Sequence, residues 1–313
     1  MAQTVPDQPP DLLVVCGPTA SGKTSLAVRL ANRLNGEIIS ADSRQVYRKL
    51  DIGSGKDLHE YTCEGKPVPY HMIDIADPRE IYTLYHYQNN CYRVIDQIRK
   101  RGNLPILCGG TGLFIEAVLR GYTLPDVPED RAFRNRMMRH SRVELEGILR
   151  NLNTERFSDT DLSNKKRIVR AIEVATFRKT DTPTTTIVQR PSITPLILCT
   201  RFNRPDLHER ISRRLAARLD EGMIKEVAAL RKSGVPDDRL LMLGMEYRHI
   251  TLHLRGESDY ETMVENLRRS IFQLAKRQET WFRGMERRGS MLYWVDDADF
   301  DTAYGIVRTL VPR

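Results

Sequence analysis

Short apolar runs alternate along this chain with longer stretches in which apolar positions recur every three or four residues, and that alternation sets the expected architecture. LLVVC after Asp11, a glycine-containing turn, a helical pattern over Lys23–Leu34 and then EIISAD (residues 37–42) read as strand, loop, helix and strand, the grammar of a βαβ unit. LPILCGG (residues 104–110) and PLILCTRF (residues 195–202) have the length and apolar continuity of buried parallel strands. Between those two runs the texture changes. Residues 122–193 open on YTLPDVPEDR, run through the arginine-rich RAFRNRMMRHSRVELEGILRNL and close on TDTPTTT, with no clear strand before their end. The pattern predicts an α/β core formed by residues 11–121 and 194–313, interrupted by a small helical insertion at 122–193.

Beyond Phe202 the pattern is helical for a long way, with Pro205 and Asp206 as a start and Gly222 and Gly234 as punctuation. In the last long helix, Tyr260, Val264, Leu267, Ile271, Leu274, Gln278, Trp281 and Met285 fall alternately four and three apart, while Arg268, Arg269, Lys276, Arg277, Arg283 and Arg287 mostly lie off that stripe. One face packs and another is basic. Such a face suits solvent as well as an anionic partner.

Composition narrows the field. With 313 residues, 49 Lys plus Arg against 41 Asp plus Glu and a formal charge of +8, the chain is large enough for a sizeable core and weakly biased toward an anionic partner. Its five cysteines (Cys16, Cys63, Cys91, Cys108 and Cys199) are odd in number, widely spaced and without a C-x-x-C pair, the usage of reduced thiols in a cytoplasm. The first ten residues lack a positive flank and an apolar run, and no stretch of about 18 apolar residues occurs, so neither secretion nor membrane spanning is expected.

The candidate chemistry begins at GPTASGKTS (residues 17–25). Gly17, Gly22, Lys23 and Thr24 meet the G-x-x-x-x-G-K-[ST] pattern between an apolar strand and a helix. There, backbone N–H groups can ring an anion at the helix N-terminus, Lys23 can supply a point charge and Thr24 can reach Mg²⁺. The loop by itself implies a nucleotide or diphosphate ligand. Two features depart from an ordinary nucleotide hydrolase: LPILC ends in Gly109 and Gly110, where a magnesium-holding Asp would be sought, and the carboxylate that closely follows a strand is Asp42, placed as a general base. Kinases of small metabolites also carry an Asp after the second strand, so both classes stay open on these residues alone.

Seven stretches in order carry a resemblance over nearly the whole chain: GPTASGKT, IISADSRQVY followed by LDIGSGKD, HMIDIADP, LPILCGGTGL, KRIVRAIEV, HERISRRLAARLDEGMIKEV and AKRQETWFR. Together they make the chain similar to the tRNA dimethylallyltransferases, also called tRNA isopentenyltransferases. The resemblance implies a P-loop NTPase-like fold and transfer of an allyl group from dimethylallyl diphosphate to the exocyclic N6 of the adenosine 3′ of the anticodon in tRNA. The bond broken is carbon to oxygen, so the loop stabilises a leaving diphosphate. By the same resemblance, Gly17, Pro18, Thr19, Ala20, Ser21, Gly22, Lys23 and Thr24 hold the diphosphate with Mg²⁺ on Thr24, Arg214 is a second cationic clamp, and Asp42, Arg214 and Thr19 form the catalytic set. Asp42, Ser43, Arg44 and Gln45 meet the adenosine, which must be flipped out of its loop, with Thr111 at the channel mouth. Lys166, Arg167 and Arg170 in the insertion, and Lys276 and Arg277 in the last long helix, contact the RNA. Trp281 and Phe282 are expected in the core. The family precedent is a monomer.

Three stretches depart from the family's pattern: Gly244, Met245, Glu246 and Tyr247 replace G-Y-[KR]-[EQ]; Ser54, Gly55, Lys56 and Asp57 replace T-A-K-P; and Ser163 and Asn164 replace N-D. No cysteine follows Cys199, so the C-terminal zinc finger of longer relatives has no ligands here. His249 and His253 have metal-ligand spacing without a third ligand. Three rivals remain open at this point: an adenylate isopentenyltransferase using free AMP, ADP or ATP, a phosphate-loop kinase, and an RNA-binding paralogue without catalysis.

Overall fold

The computed structural model describes residues 9–152, 157–158, 160–180 and 190–310. It divides into two compact units, residues 1–122 with 190–313 and residues 123–189.

The larger unit is built on a six-stranded parallel sheet in the order β5-β2-β6-β1-β7-β8. Its strands are β1 (Leu12–Cys16), β2 (Gly36–Ser40), β5 (Tyr70–His71), β6 (Leu104–Gly109), β7 (Pro195–Arg201) and β8 (Leu292–Asp296); a small antiparallel hairpin, β3 (Thr62–Cys63) with β4 (Lys66–Pro67), lies beside it. β1 is central, paired with β6 on one side and β7 on the other, and all five of its residues are buried. That explains the unbroken apolar run: a strand covered on both faces has no polar alternation. The four expected strands form, each within two residues of its apolar run. The apolar pattern does not predict β8. Its residues LYWVD pair with β7 alone and are buried only at Leu292 and Val295, so as an edge strand it lacks the continuous apolar signal of the central ones.

Helices cover both faces. α1 (Lys23–Leu34) and α2 (Leu84–Lys100) precede α3 (Gly112–Arg120) on the chain. After the smaller unit come α7 (Arg204–Glu221), α8 (Met223–Lys232), α9 (Asp237–Leu240), α10 (Met245–Leu254), α11 (Tyr260–Arg287) and α12 (Phe300–Leu310). α7 starts where Asn203 caps it, its side chain accepting from Asp206 N–H, with Pro205 in the first turn, and it ends at Gly222 with φ 112°. That positive φ favours glycine and explains the punctuation.

The packing face of α11 is rotated from the expected stripe. Met263, Leu267, Ile271, Ala275, Phe282 and Met285 are buried, whereas Tyr260 is 45% exposed and Leu274, Gln278 and Trp281 lie on a cavity wall. Over 28 residues one helix serves two neighbours. Its first half packs with the helical layer of α7, α8 and α10, and Phe282 and Met285 enter the core cluster of the sheet.

In the smaller unit, α4 (Arg131–Met137), α5 (Arg142–Leu152) and α6 (Lys165–Thr180) surround Leu145, Leu149, Ile168, Val169, Ala171 and Ile172. The arginine-rich run is therefore two helices, broken at residues 138–141. Glu173, 5% exposed, gathers Arg134 and Arg170 into one ion cluster and also accepts from Asp130 N–H. Desolvating that carboxylate alone would cost several kcal/mol, by the order-of-magnitude penalty for buried ions, so the two guanidiniums are structural partners first.

No helix among the described residues is long and apolar enough to cross a membrane. Cys16, Cys91, Cys108 and Cys199 are free and buried, and Cys63, on the hairpin, is free and partly exposed.

Candidate active site

One cavity of about 790 Å³ opens between the C-terminal ends of the central strands and α7, α10 and α11. Ligands in open α/β sheets gather at those strand ends, where the loops diverge. Its wall brings together Thr19, Lys23, Thr24, Asp42, Thr111 and Arg214, although they are as much as 195 residues apart.

The phosphate loop is held in shape from behind. Gly17 has φ 151°, and a Cβ there would overlap the Thr200 hydroxyl, which lies 2.6 Å from the Ser21 hydroxyl. Ser21 is completely buried. Its hydroxyl therefore braces the loop from below, and what Ser21 offers an anion is its backbone. Arg210 Nε donates to Ala20 O at 2.9 Å, fixing a residue whose φ is 63°. Gly22 caps α1 in the left-handed region with no side chain at the N-cap, so the first turn of α1 is open to an anion.

Two cations face that turn. Lys23 Nζ donates to Pro18 O at 3.2 Å, and burial of its ammonium, with Arg214 nearby, holds its pKa below the ordinary lysine value. Arg214 donates to the Thr19 hydroxyl; burial, reinforced by Arg218, pushes its pKa down to about 10, which leaves it charged at neutral pH. Positive charge crowded into a desolvated site is held at a cost that an anion relieves.

Asp42 lines the same cavity. One carboxylate oxygen accepts from Arg44 N–H at 2.8 Å in a local turn, and no described residue engages the other. Ser43 N–H donates to Thr111 Oγ1 at 3.2 Å, tying the loop after β2 to the turn after β6. The glycines at that turn now have a reason. A Cβ on Gly109 would overlap the Ala41 carbonyl, and one on Gly110 would overlap the Gln278 side-chain amide. An Asp at the end of β6 has no room here.

Several expected contacts are otherwise engaged. The Gln45 amide, expected to meet a base edge, accepts from the Ser40 hydroxyl at 2.7 Å and donates to Gly55 O at 2.8 Å, which leaves it one hydrogen and one lone pair. Arg170 is bound to Glu173 and to Val127 O, and Arg167 pairs with Asp161 on the surface. Lys166 is exposed, with no side-chain partner among the described residues. On α11, Arg268, Arg269 and Arg283 pair with Glu265 and Glu279 of their own helix, whereas Lys276 and Arg277 are exposed and make no ion pair among the described residues. Phe282 is fully buried, as expected. Trp281 is only partly so. Its indole lies against Gly112, where any Cβ would overlap it, and its Nε1 has no hydrogen-bond partner among the described residues.

Two of the three departures from the family's pattern reach this cavity, whose wall includes Ser54, Gly55, Asp57, Gly244, Met245 and Glu246; Ser163 and Asn164 belong to the smaller unit. Lys56 is 2% exposed and donates to Tyr47 O at 2.9 Å and Asp51 at 2.6 Å. Asp57 pairs with Arg218 at 2.9 Å. Glu226 accepts from the N–H groups of Asp51, Ile52 and Gly53 at 2.9, 2.6 and 3.1 Å and from the Tyr247 hydroxyl at 2.8 Å, so Tyr247 is a core residue that clamps the loop after β2. Glu246 lines the cavity. Burial raises its pKa, against the opposing pull of Arg218, Arg214 and Arg44. His249 and His253 bond to Ser270 and Ser258. No group of three or more His, Cys, Asp or Glu among the described residues is arranged to hold a metal ion.

Gln278 is the residue that sequence reading missed. Its Oε1 accepts from Thr19 N–H at 2.8 Å and its Nε2 donates to Gly110 O at 2.9 Å. Its place in AKRQETWFR, one of the stretches that carry the family resemblance, is the signal that could have found it; as a neutral residue on the helix stripe it has none by residue type.

A family model described as IPP transferase matches residues 45–285, and one described as isopentenyl transferase matches residues 10–65. The tRNA dimethylallyltransferase 1 of Parabacteroides distasonis is 47% identical over 286 residues, 91% of this chain and 92% of that protein. The tRNA dimethylallyltransferase 2 of Bacteroides fragilis is 47% identical over 295 residues, 94% of each. Among solved structures, the full-length tRNA isopentenylpyrophosphate transferase of Bacillus halodurans matches with TM-score 0.68 and 32% identity over 96% of this chain and 95% of that one. A eukaryotic dimethylallyltransferase acting on tRNA shares the fold, with TM-score 0.73 at 21% identity over 93% of this chain and 74% of that one. With a P-loop NTPase-like fold and these relatives along its whole core, the chain belongs to the IPP transferase family, that of the tRNA dimethylallyltransferases.

Proposed function

We propose that this protein transfers a dimethylallyl group from dimethylallyl diphosphate to N6 of the adenosine 3′ of the anticodon in tRNA, releasing diphosphate. The observation that carries this reading is that an anion loop with two desolvated cations and a carboxylate with one oxygen unengaged among the described residues line one cavity. An adenine amine is a weak nucleophile because its lone pair is delocalised into the ring. As the C–N bond forms it must lose a proton, and Asp42 is the acceptor. The allylic C–O bond breaks with its electron pair passing to the diphosphate, whose growing charge meets the first turn of α1, Lys23 and Arg214, with Thr19 positioned by Arg214.

Thr24, in the first turn of α1 and on the cavity wall, offers a hydroxyl suited to Mg²⁺, which takes hard oxygen ligands and keeps much of its shell from phosphate and water. When bound, Mg²⁺ would neutralise charge on the diphosphate. The adenosine enters beside Ser43, Arg44, Gln45 and Thr111, and the free cations Lys276 and Arg277 with Lys166 meet RNA phosphates; Arg167 and Arg170 join only by exchanging present partners. The protein works as a monomer in the cytoplasm.

The test is incubation with dimethylallyl diphosphate, Mg²⁺ and an anticodon stem-loop containing that adenosine. The expected result is an RNA whose mass rises by one dimethylallyl group in place of a hydrogen. Faster transfer to free AMP, or phosphorylation of a small acceptor by ATP, would overturn the reading.

A further inference from the structure

We propose that Arg218 is a further substrate-binding cation of this cavity, aimed at an RNA phosphate beside the flipped adenosine, and that Asp57 and Glu246 are the carboxylates that set it there. This role rests on the proposed transfer to RNA and adds a residue outside both the diphosphate set and the adenosine set.

Successive turns of α7 hold three arginines against the cavity, and their contacts pass from one loop to the next. Arg210 donates to Ala20 O and Arg214 to the Thr19 hydroxyl, both in the phosphate loop. Arg218, one turn further on, donates from Nη2 to Asp57 at 2.9 Å, in the segment that follows β2. Its guanidinium packs on Gly55, where a Cβ would overlap it, and Gly55 O is the acceptor of the Gln45 amide. Arg214 therefore borders the diphosphate side of the cavity, and Arg218 borders the adenosine side.

A structural ion pair alone does not account for this arrangement. The Arg218 side chain is only 11% exposed, yet its hydrogen bond to Asp57 is the one it makes among the described residues, so Nε and Nη1 are unengaged there. Arg218 also opposes the charge of Arg214, and like charges one helical turn apart are unfavourable. Glu246, in the first turn of α10, attracts both guanidiniums and Arg44 but forms no ion pair among the described residues. A void of about 10 Å³ lies between it, Arg214 and Arg218. The two carboxylates thus confine Arg218, one in contact and one across the void, and leave part of its planar fork of donors for a third anion. Such a fork suits phosphate. Glu246 also stands where the family's pattern has Lys or Arg, so a positive charge that the pattern supplies from α10 is supplied here from α7.

The test is affinity for an anticodon stem-loop, by fluorescence anisotropy at several salt concentrations, with calorimetry of pyrophosphate and Mg²⁺ as the second reading. Arg218→Met fills the space against Gly55 without charge. It should weaken stem-loop binding about 10-fold, the scale of one hydrogen bond to a charged group. It should also reduce the slope of log affinity against log salt by about one, the mark of a lost phosphate contact, while pyrophosphate affinity stays within about twofold. Arg218→Lys should keep the slope, and Arg218→Gln replaces the Met variant if that does not fold. Combining Arg218→Met with Glu246→Lys returns a cation from α10, so slope and affinity should recover, which a merely structural role for Arg218 does not give. An unchanged slope in the folded single variant, an equal fall in pyrophosphate affinity, or no recovery in the folded double variant would overturn the proposal. Absence of prenyl transfer by the unaltered protein would overturn the proposed function, and this role with it.

Discussion

Arg214 and Thr19, 195 residues apart in sequence, meet as guanidinium donor and hydroxyl acceptor at the rim of the phosphate loop. The bond makes two residues of the diphosphate site interdependent. Replacing Arg214 by Ala should lower kcat/KM by about 10² to 10³, the usual loss on removing one preorganised donor from a developing oxyanion. Thr19→Val should cost less. The double variant should fall well short of the product of the single effects, because either change breaks the shared contact. A double-mutant cycle on initial rates checks this, and strictly multiplicative losses would separate the two roles.

Asp42→Asn preserves shape and an acceptor oxygen for Arg44 N–H while removing the proton acceptor. The expected loss in kcat is about 10² to 10⁴, the range for a general base, with pyrophosphate affinity unchanged within about threefold. Rapid-quench assay of prenylated RNA and calorimetry of pyrophosphate provide the two numbers. An unchanged rate would remove Asp42 from the mechanism.

Gly109 was selected by space. Gly109→Ala forces a methyl onto the Ala41 carbonyl at the junction of β2 and β6, and should destabilise the fold by about 1–3 kcal/mol, the range for overpacking in a close-packed core. Denaturant titration measures it. Gly102, where nothing lies within 4 Å of an added Cβ but φ is 75°, tests strain without overlap: its Ala variant should lose about 1 kcal/mol.

Glu37 offers a pH signature of folding. The Arg101 guanidinium, then Asn103 and His71, bind its carboxylate against the penalty of burial and hold its pKa at about 2, below the ordinary value of 4.5. A carboxyl with a depressed pKa contributes stability that is fully present above 4.5 and is lost as pH falls through about 2. Glu37→Gln should therefore cost stability at pH 7, and the difference from the unaltered protein should shrink steadily between about 4.5 and 2. Thermal unfolding across that range follows it.

Much of this was readable from residues alone, for identifiable reasons. β1, β2, β6 and β7 are buried on both faces, so each leaves an apolar run; β8 is paired on one side only and leaves none. Lys23 sits in a motif whose spacing fixes the elements that carry it, and Asp42 closely follows a strand, whereas Arg214 was named only through the family resemblance. The helix stripe misled at Gln278 and Trp281, because a period of 3.6 marks an inward direction and does not say whether packing or a cavity waits there. Arg170 was read as a surface cation although Glu173 stands one turn away on the same helix, at the spacing where such pairs meet. Acids scattered along the sequence, notably Glu226 with its three backbone donors, gave no hint of the loop they hold.

Where the smaller unit leaves and rejoins the core, Arg190 donates to the carbonyl oxygens of both Gly121 and Tyr122, so the two strands of chain are stitched at their base before β7 begins. The central strand β1 lies between β6 and β7, the strands on either side of that detour. A closed stem of this kind lets the intervening 67 residues, 123–189, change in length and surface while the sheet registers stay as they are. The sheet that carries the phosphate loop is thereby insulated from the length of the detour: a chain change within residues 123–189 alters what lies beyond the stem and leaves the strands at its base in register.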